Sequence, residues 1–221
     1  MDRTIVITGA NRGIGLAFVD YYLAQDDEVI AVCRKASADL KATTARIIEH
    51  IDVTSHADLN ALKKSLAGQH IDILINNAGV LSNETLDDFD IAGIEKQFIT
   101  NALAPLAVVE TLQNNLQQGS KVAMITSRMG SIEDNGSGGY YGYRMSKAAL
   151  NAAGKSLAID LKPRGISVTL LHPGLVSTRM IGFAGDVAPE GAVEGLTQRI
   201  EALNPDNTGT FWHANGDVLP W

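Results

Sequence analysis

The sequence predicts a single α/β domain over residues 1–221, built as a doubly wound parallel sheet of about seven strands with helices on both faces. Short β-branched apolar segments alternate with helical segments at the intervals that parallel sheets require. A glycine-rich turn follows the first apolar segment, as in folds that bind dinucleotides. With 45% hydrophobic residues in 221, the chain supports one large core, and no proline-rich or low-complexity linker divides it.

Composition and charge exclude several classes of function. The net charge of -7 comes without a basic cluster, so we expect neither a nucleic-acid partner nor an anionic membrane partner. One cysteine, Cys33, cannot form an internal disulfide, and no Cys-x-x-Cys or His-Glu-x-x-His spacing predicts a metal site. The first apolar segment is too short for a signal peptide or a membrane span. These features favour a protein of the reducing cytoplasm.

The first strand, residues 3–8, leads into a glycine-rich turn over 9–15 and a helix over 16–24. Unpaired N–H groups and the helix dipole attract phosphate at such a helix start. Glycine is needed because a Cβ would hold the backbone away from a pyrophosphate. The turn consists of Gly9, Ala10, Asn11, Arg12, Gly13, Ile14 and Gly15.

The second strand, residues 28–33, is followed at once by Arg34 and Lys35. Dinucleotide folds read the adenosine ribose here, with an acid for a free 2′-hydroxyl and a base for a 2′-phosphate. No acid occupies the position, and Arg12 from the turn adds a further positive charge. The pattern therefore predicts NADP(H) in preference to NAD(H).

The next elements continue the alternation. A helix is predicted over 36–46, and a third strand over 47–51 leads into Asp52 and Val53. Thr54 or Ser55 is expected to cap a helix that ends near residue 66. A fourth strand, residues 71–75, ends in Asn76-Asn77-Ala78-Gly79, whose small and amide side chains allow close approach of a ligand.

A long helix is predicted over 94–116, with Pro105 inside it. Because proline lacks an N–H and clashes with the carbonyl four residues earlier, the carbonyl of Asn101 is expected to remain free for another partner. A fifth strand over 121–126 then ends at Ser127, and a polar loop covers 131–139.

Tyr143 and Lys147 lie four residues apart in a helix predicted to run to about residue 162. Side chains at that spacing share one helical face, and a fixed positive charge lowers the pKa of a phenol, so the pair forms a candidate acid/base. A sixth strand over 166–171 is followed by His172, Pro173 and Gly174. A helix over 189–203 and a seventh strand over 208–213 complete the predicted fold.

Taken in this order, these motifs resemble the short-chain dehydrogenase/reductase family, whose members adopt the Rossmann fold. The resemblance is carried by Thr8-Gly9-x-x-x-Gly13-x-Gly15, Asn76-Asn77-Ala78-Gly79, Ser127, Tyr143-x-x-x-Lys147 and Pro173-Gly174. Within the family, the short chain and the Gly-Asp-Val-Leu-Pro-Trp tail look like the bacterial C-factor and sniffer-like carbonyl reductase branch.

The resemblance implies a catalytic set for reduction of a small carbonyl or oxidation of the matching alcohol. Tyr143 would be the acid/base, Lys147 would lower its pKa and hold the nicotinamide ribose, and Ser127 would donate to the substrate oxygen. Asn101 would hold a water that connects Lys147 to solvent. The implied cofactor contacts, besides Tyr143 and Lys147, are Gly9, Asn11, Arg12, Gly13, Ile14, Gly15, Arg34, Lys35, Asp52, Val53, Asn77, Ala78, Gly79, Pro173, Gly174, Val176 and Thr178.

Some alternatives stay open at this point. Tyr140 and Tyr141 are rivals of Tyr143, although neither has a lysine four residues on, and Ser131 is a rival of Ser127. The resemblance implies a homodimer or homotetramer as well. A nucleotide-binding signalling or regulatory protein of the C-factor kind is the alternative function, but a sensor without catalysis would be expected to lose one of the catalytic residues.

Overall fold

A computed structural model describes residues 3–221, so Met1 and Asp2 of the predicted 1–221 domain lie outside the described residues. The strands are β1 (Thr4–Thr8), β2 (Glu28–Val32), β3 (Arg46–Ile48), β4 (Ile71–Asn76), β5 (Leu116–Ile125), β6 (Ser167–His172) and β7 (Phe211–His213). The helices are α1 (Gly13–Leu23), α2 (Ala38–Lys41), α3 (His56–Ser65), α4 (Ile91–Phe98), α5 (Ala104–Leu112), α6 (Tyr141–Leu161) and α7 (Pro189–Glu201).

As the sequence predicts, the seven strands of the described residues form one parallel sheet; their order in it is β3-β2-β1-β4-β5-β6-β7. After β3 the chain crosses back to pair β4 with β1, on the other side from β2. This reversal opens a crevice at the carboxyl ends of β1 and β4, where ligands bind in open α/β sheets. None of the described helices combines the length and apolar character needed to cross a membrane.

Each face of the sheet is covered by its own apolar layer, because side chains alternate along each strand. On β1, Val6 packs with residues of α3, α5 and α6 on one face. Ile5 and Ile7 pack with residues of α1 and α7 on the other. The strands are buried on both sides, which explains why they read as continuous apolar runs.

The predicted helix over 94–116 differs most from the structure. It begins earlier, at Ile91, and is interrupted by a π-helical segment over Ile99–Leu103, in which the Ala104 N–H donates to the Ile99 carbonyl. It ends at Leu112, and Leu116 already belongs to β5, which carries a register shift where it pairs with β4. The polar residues of this first part of β5 gave no strand signal.

The predicted helix over 36–46 is also wrong in extent, since α2 is a single turn. The Ser37 hydroxyl caps it by accepting from the Leu40 N–H at 3.1 Å. Arg46 belongs to β3, which pairs with β2 from Ile30 onward. Pairing with β2 therefore places Arg46 in a strand, although the local pattern predicts a helix there.

Candidate active site

A cleft of about 1490 Å³ lies at the carboxyl edge of the sheet. Its size exceeds that of a typical pocket for a drug-sized ligand, in keeping with an extended molecule. Most of the predicted cofactor contacts line it: Gly9, Asn11, Arg12, Gly13, Ile14, Gly15, Arg34, Lys35, Asp52, Val53, Asn77, Ala78, Gly79, Tyr143, Lys147, Pro173 and Thr178.

The start of α1 has the features of a phosphate site. Arg12 occupies the position before the first helical residue, and its side chain makes no capping hydrogen bond. The first turn of α1 carries no acidic residue, so its backbone donors face the cleft without a competing side chain. Gly9 and Gly13 both have positive φ, 65° and 54°, which other residues adopt only with strain.

Gly15 is required for a reason other than the one expected. A Cβ on Gly15 would lie 2.2 Å from the Gly9 carbonyl oxygen and 2.6 Å from Nδ2 of Asn77, so the crowding comes from the protein itself. The Asn77 amide donates to the carbonyls of Thr8 and Gly9 at 3.1 and 3.2 Å, which ties the end of β4 to the glycine turn. The absence of a side chain at Gly15 keeps turn and strand in contact.

Arg34, Lys35 and Asp52 also line the cleft, and Arg34 faces the Asp52 carboxylate. Nη1 of Arg34 lies 4.0 Å from Oδ2 of Asp52. The pKa of Asp52 lies below its usual value, mainly because the Thr54 hydroxyl and N–H donate to it at 2.7 and 2.9 Å, with a further contribution from Arg34. Lys35 is positioned through its carbonyl, which accepts from Asn11 Nδ2 at 3.3 Å.

Tyr143 and Lys147 project from one face of α6 into the cleft, as their spacing predicts. Nζ of Lys147 lies 5.7 Å from the centre of the Tyr143 ring and donates to the carbonyl of Ile125 at 2.9 Å. Tyr140 and Tyr141 are absent from the lining, and Tyr141 instead contacts Phe89. Of the three tyrosines, Tyr143 is therefore the one with access to a ligand in the cleft.

The pKa directions at this pair differ from the expected ones. Burial raises the pKa of Tyr143 to about 12, and the hydrogen bond from Ser127 offsets only part of that rise. Burial lowers the pKa of Lys147 to about 8, since the residue is 5% exposed and its ammonium has no acidic partner within residues 3–221. The expected lowering of the phenol pKa is not seen, because burial of the phenol, which raises its pKa, is the largest effect.

Ser127 and its rival Ser131 have different partners. Ser127 is close enough to Tyr143 to lower the pKa of its phenol, and the Ser127 hydroxyl accepts from the Met129 N–H at 3.2 Å. The Ser131 hydroxyl donates to the Trp221 carbonyl at 3.2 Å and accepts from the Asp134 N–H at 3.1 Å. Ser127 thus lies beside the phenol, whereas Ser131 anchors the last residue of the chain.

Asn101 lies under the pair, within the π-helical segment, and is fully buried. Its amide accepts from the Val80 N–H at 2.8 Å and donates to the Val80 carbonyl at 2.9 Å. It also donates to the Ser146 hydroxyl at 3.0 Å, and Ser146 in turn donates to the Tyr143 carbonyl at 2.8 Å. The side chain of Asn101 therefore connects the end of β4 with α6.

Four predicted site residues do not line the cleft. Asn101 and Ser127 are both buried and absent from its lining, and Gly174 has a φ of 88° in the turn after β6. Val176 is buried and forms an isolated bridge with Val187.

Several lining residues have no counterpart in the sequence-based prediction. They fall into three groups. The first lies at or after the carboxyl end of a strand, the second on α4 and the π segment, and the third between β6 and the start of α7; only the first group carries a sequence signal. These residues are Val32, Cys33, Ile51, Thr54, Val80, Leu81, Lys96, Ile99, Thr100, Ile125, Thr126, Ser177, Arg179, Met180, Phe183 and Pro189.

Comparison with known proteins gives a consistent result. Residues 3–187 match the family described as short chain dehydrogenase. The chain is 38% identical to 1-hydroxy-2-glutathionyl-2-methyl-3-butene dehydrogenase from Rhodococcus sp. (strain AD45), over 99% of both chains. It is 45% identical to C-signal from Myxococcus xanthus, over 68% of this chain and 93% of that one. The NADPH-bound carbonyl reductase from chicken fatty liver superposes with a TM-score of 0.89 at 30% identity, covering 100% of this chain and 99% of that chain.

Proposed function

The chain belongs to the short-chain dehydrogenase family, and from that premise we propose that it is an NADP(H)-dependent oxidoreductase that reduces a small aldehyde or ketone, or oxidises the matching alcohol. The observation that carries the proposal is the placement of Tyr143 and Lys147 in one cleft with the glycine turn. The nicotinamide would supply the hydride when it is bound.

The residues of this chain supply the acid/base and electrostatic part of the reaction. We assign to Tyr143 and Ser127 the stabilisation of the negative charge that develops on a carbonyl oxygen, and to Tyr143 the delivery of the proton. Lys147, held by the Ile125 carbonyl, keeps a positive charge close to the phenol and within reach of a ribose in the cleft. Asn101 fixes the backbone of Tyr143 through Ser146.

The preference for NADP(H) is proposed from the adenosine end of the cleft. Arg12, Arg34 and Lys35 line it together with Asp52, so three bases accompany one acid. An Arg or Lys beside the ribose favours a 2′-phosphate. The solved carbonyl reductase with NADPH is consistent with this preference.

The test is consumption of NADPH with a panel of aldehydes, ketones and quinones, measured for the wild type and for Tyr143→Phe. Because a positioned general acid contributes about 10²- to 10⁴-fold, the variant should lose at least about 100-fold in turnover. Tyr141→Phe, on the same turn of α6 but outside the cleft, is the matched control and should keep its rate. Equal turnover of wild type and Tyr143→Phe would contradict the proposal.

A second candidate, a nucleotide-binding signalling protein, is supported by the similarity to C-signal. The presence of Ser127, Tyr143 and Lys147 together favours the enzyme, since a protein that only binds a nucleotide does not need all three. NADPH binding by titration, without turnover of any carbonyl or alcohol in the panel, would favour the second candidate.

A further inference from the structure

A buried carboxylate that no catalytic assignment uses lies beside the start of α6. Glu84 is 1% exposed, and both of its carboxylate oxygens accept hydrogen bonds. One accepts from Gln97 Nε2 at 2.7 Å and also from the Ser82 hydroxyl. The other accepts from the Gly142 N–H at 3.1 Å. All of its partners are donors, so no oxygen of Glu84 is left unused.

The N-terminus of α6 lacks a cap of its own. The residue before its first turn, Tyr140, is in the left-handed region and makes no side-chain capping bond, and the first turn holds no acidic residue. Glu84, from a distant segment, supplies both the capping acceptor and the negative charge that the helix start lacks. Its carboxylate accepts from the second residue of the helix, Gly142, and its carbonyl accepts from the Tyr140 N–H at 3.0 Å.

Gly142 packs so closely against α4 that no residue with a Cβ fits at position 142. A Cβ on Gly142 would lie 2.3 Å from Nε2 of Gln97 and 2.9 Å from Cα of Ile94. Gln97 is itself 1% exposed, and its Oε1 accepts from the Ser82 N–H at 3.0 Å, so its orientation is fixed. The network thereby joins α4, two residues before the π segment that holds Asn101, to α6, one residue before Tyr143.

We propose that Glu84 is a positioning residue that sets the register of the start of α6, and with it the place of the Tyr143 hydroxyl relative to Ser127. The inference rests on the proposed function, because it treats Tyr143 as the acid/base. Glu84 touches neither the cleft nor Tyr143 itself. It acts through the Gly142 backbone and the Gln97 amide.

The test compares Glu84→Ala, Glu84→Gln and the exchange variant Glu84→Gln/Gln97→Glu. In Glu84→Gln, the amide nitrogen at position 84 places one donor against another, Nε2 of Gln97. In the exchange variant a carboxylate at position 97 accepts from the amide at position 84 and from the Ser82 N–H, and the amide oxygen at position 84 accepts from Gly142. The second N–H of the amide at position 84 donates to the Ser82 hydroxyl, so each contact again pairs a donor with an acceptor, with the Ser82 hydroxyl bond reversed. Glu95→Gln, an exposed site on the same helix α4, is the matched control.

Both single variants should lower kcat about 10- to 100-fold, since a misplacement of the order of 1 Å costs that much, while the Kd for NADPH stays unchanged. The exchange variant should recover about tenfold or more of the lost kcat, because groups in one hydrogen-bond network couple strongly. Exchange of the Gly142 amide proton should be slow in the wild type and fast in Glu84→Ala.

Wild-type kcat in Glu84→Gln, alongside an inactive Tyr143→Phe, would overturn the role of Glu84 and leave the proposed function standing. An active Tyr143→Phe would instead refute the proposed function. Single variants that lose kcat without any recovery in the exchange variant would also overturn the inference, since that pattern is one of general structural damage. Should Glu84→Ala fail to fold, amide exchange in the wild type decides: a Gly142 proton that exchanges as fast as an unstructured amide rules the inference out.

Discussion

Replacing Arg34 by alanine should weaken NADPH far more than NADH. A charge-assisted hydrogen bond is worth about 1.5–3 kcal/mol, which corresponds to about 10- to 140-fold in Kd. The Arg34 side chain is 70% exposed and already faces Asp52 at 4.0 Å, so screening by solvent and the nearby carboxylate place the loss near the lower end, at about tenfold. The Kd for NADH should change little, because no 2′-phosphate is present to lose its partner.

The assay is titration of both cofactors into wild type and variant at low and moderate salt. The ratio of the two Kd values isolates the 2′-phosphate, and it should shrink as salt rises. Lys63→Ala, a loss of one positive charge on α3 away from the cleft, controls for the change in net charge. If Arg34→Ala weakens both cofactors by the same factor, the 2′-phosphate is not read by Arg34.

Four further predictions follow from the geometry. The pKa of Lys147 is about 8 in the folded protein and about 10.5 in the unfolded one, so the burial of its charged form opposes folding most below pH 8. The free energy of unfolding of the wild type, relative to that of Lys147→Met, should therefore rise by about 3 kcal/mol between pH 8 and 10.5. A difference that stays constant with pH in denaturant titrations would contradict this. Gly15→Ala should destabilise the protein by about 1–3 kcal/mol, while Gly136→Ala, with open space around its Cβ, should leave the melting temperature unchanged. Pro105→Ala should lower turnover with little change in cofactor affinity, because the new N–H competes for the Asn101 carbonyl; unchanged turnover across the pH range would assign Pro105 a structural role alone. Light scattering at micromolar protein should return a multiple of 23.5 kDa, and a mass of 23.5 kDa would rule out the homo-oligomer.

The sequence predicts those parts of the site that depend on position along a strand. Gly9, Arg34 and Asn77 each follow a buried strand, and parallel strands bring their carboxyl ends to one edge, so local pattern and fold rule together place these residues in the cleft. Tyr143 and Lys147 are predicted equally well, since helical periodicity fixes their common face. These assignments need no knowledge of distant contacts.

The parts that the sequence does not predict depend on pairing between distant segments. Nothing local distinguishes Glu84 from the exposed acids that follow it, and its burial results from contacts with α4 and α6. The π segment after Phe98 likewise has no sequence signal besides Pro105, which indicates a disturbance but not its form. The pKa of Tyr143 could not be inferred from spacing to Lys147, because burial decides its direction.

The pairing of β1 with β4 has a consequence for how the chain folds. β1 is a central strand, yet its partner on one side lies 68 residues away, with Ile5 opposite Ile73. Contacts between segments so far apart in the sequence close large loops before they add stability, which slows folding. During synthesis, the first strand therefore keeps one unpaired edge until the end of β4 has left the ribosome. The glycine turn and Asn77 come together only at that stage. A nascent chain that ends before β4 therefore has no complete nucleotide cleft, and added cofactor cannot stabilise it.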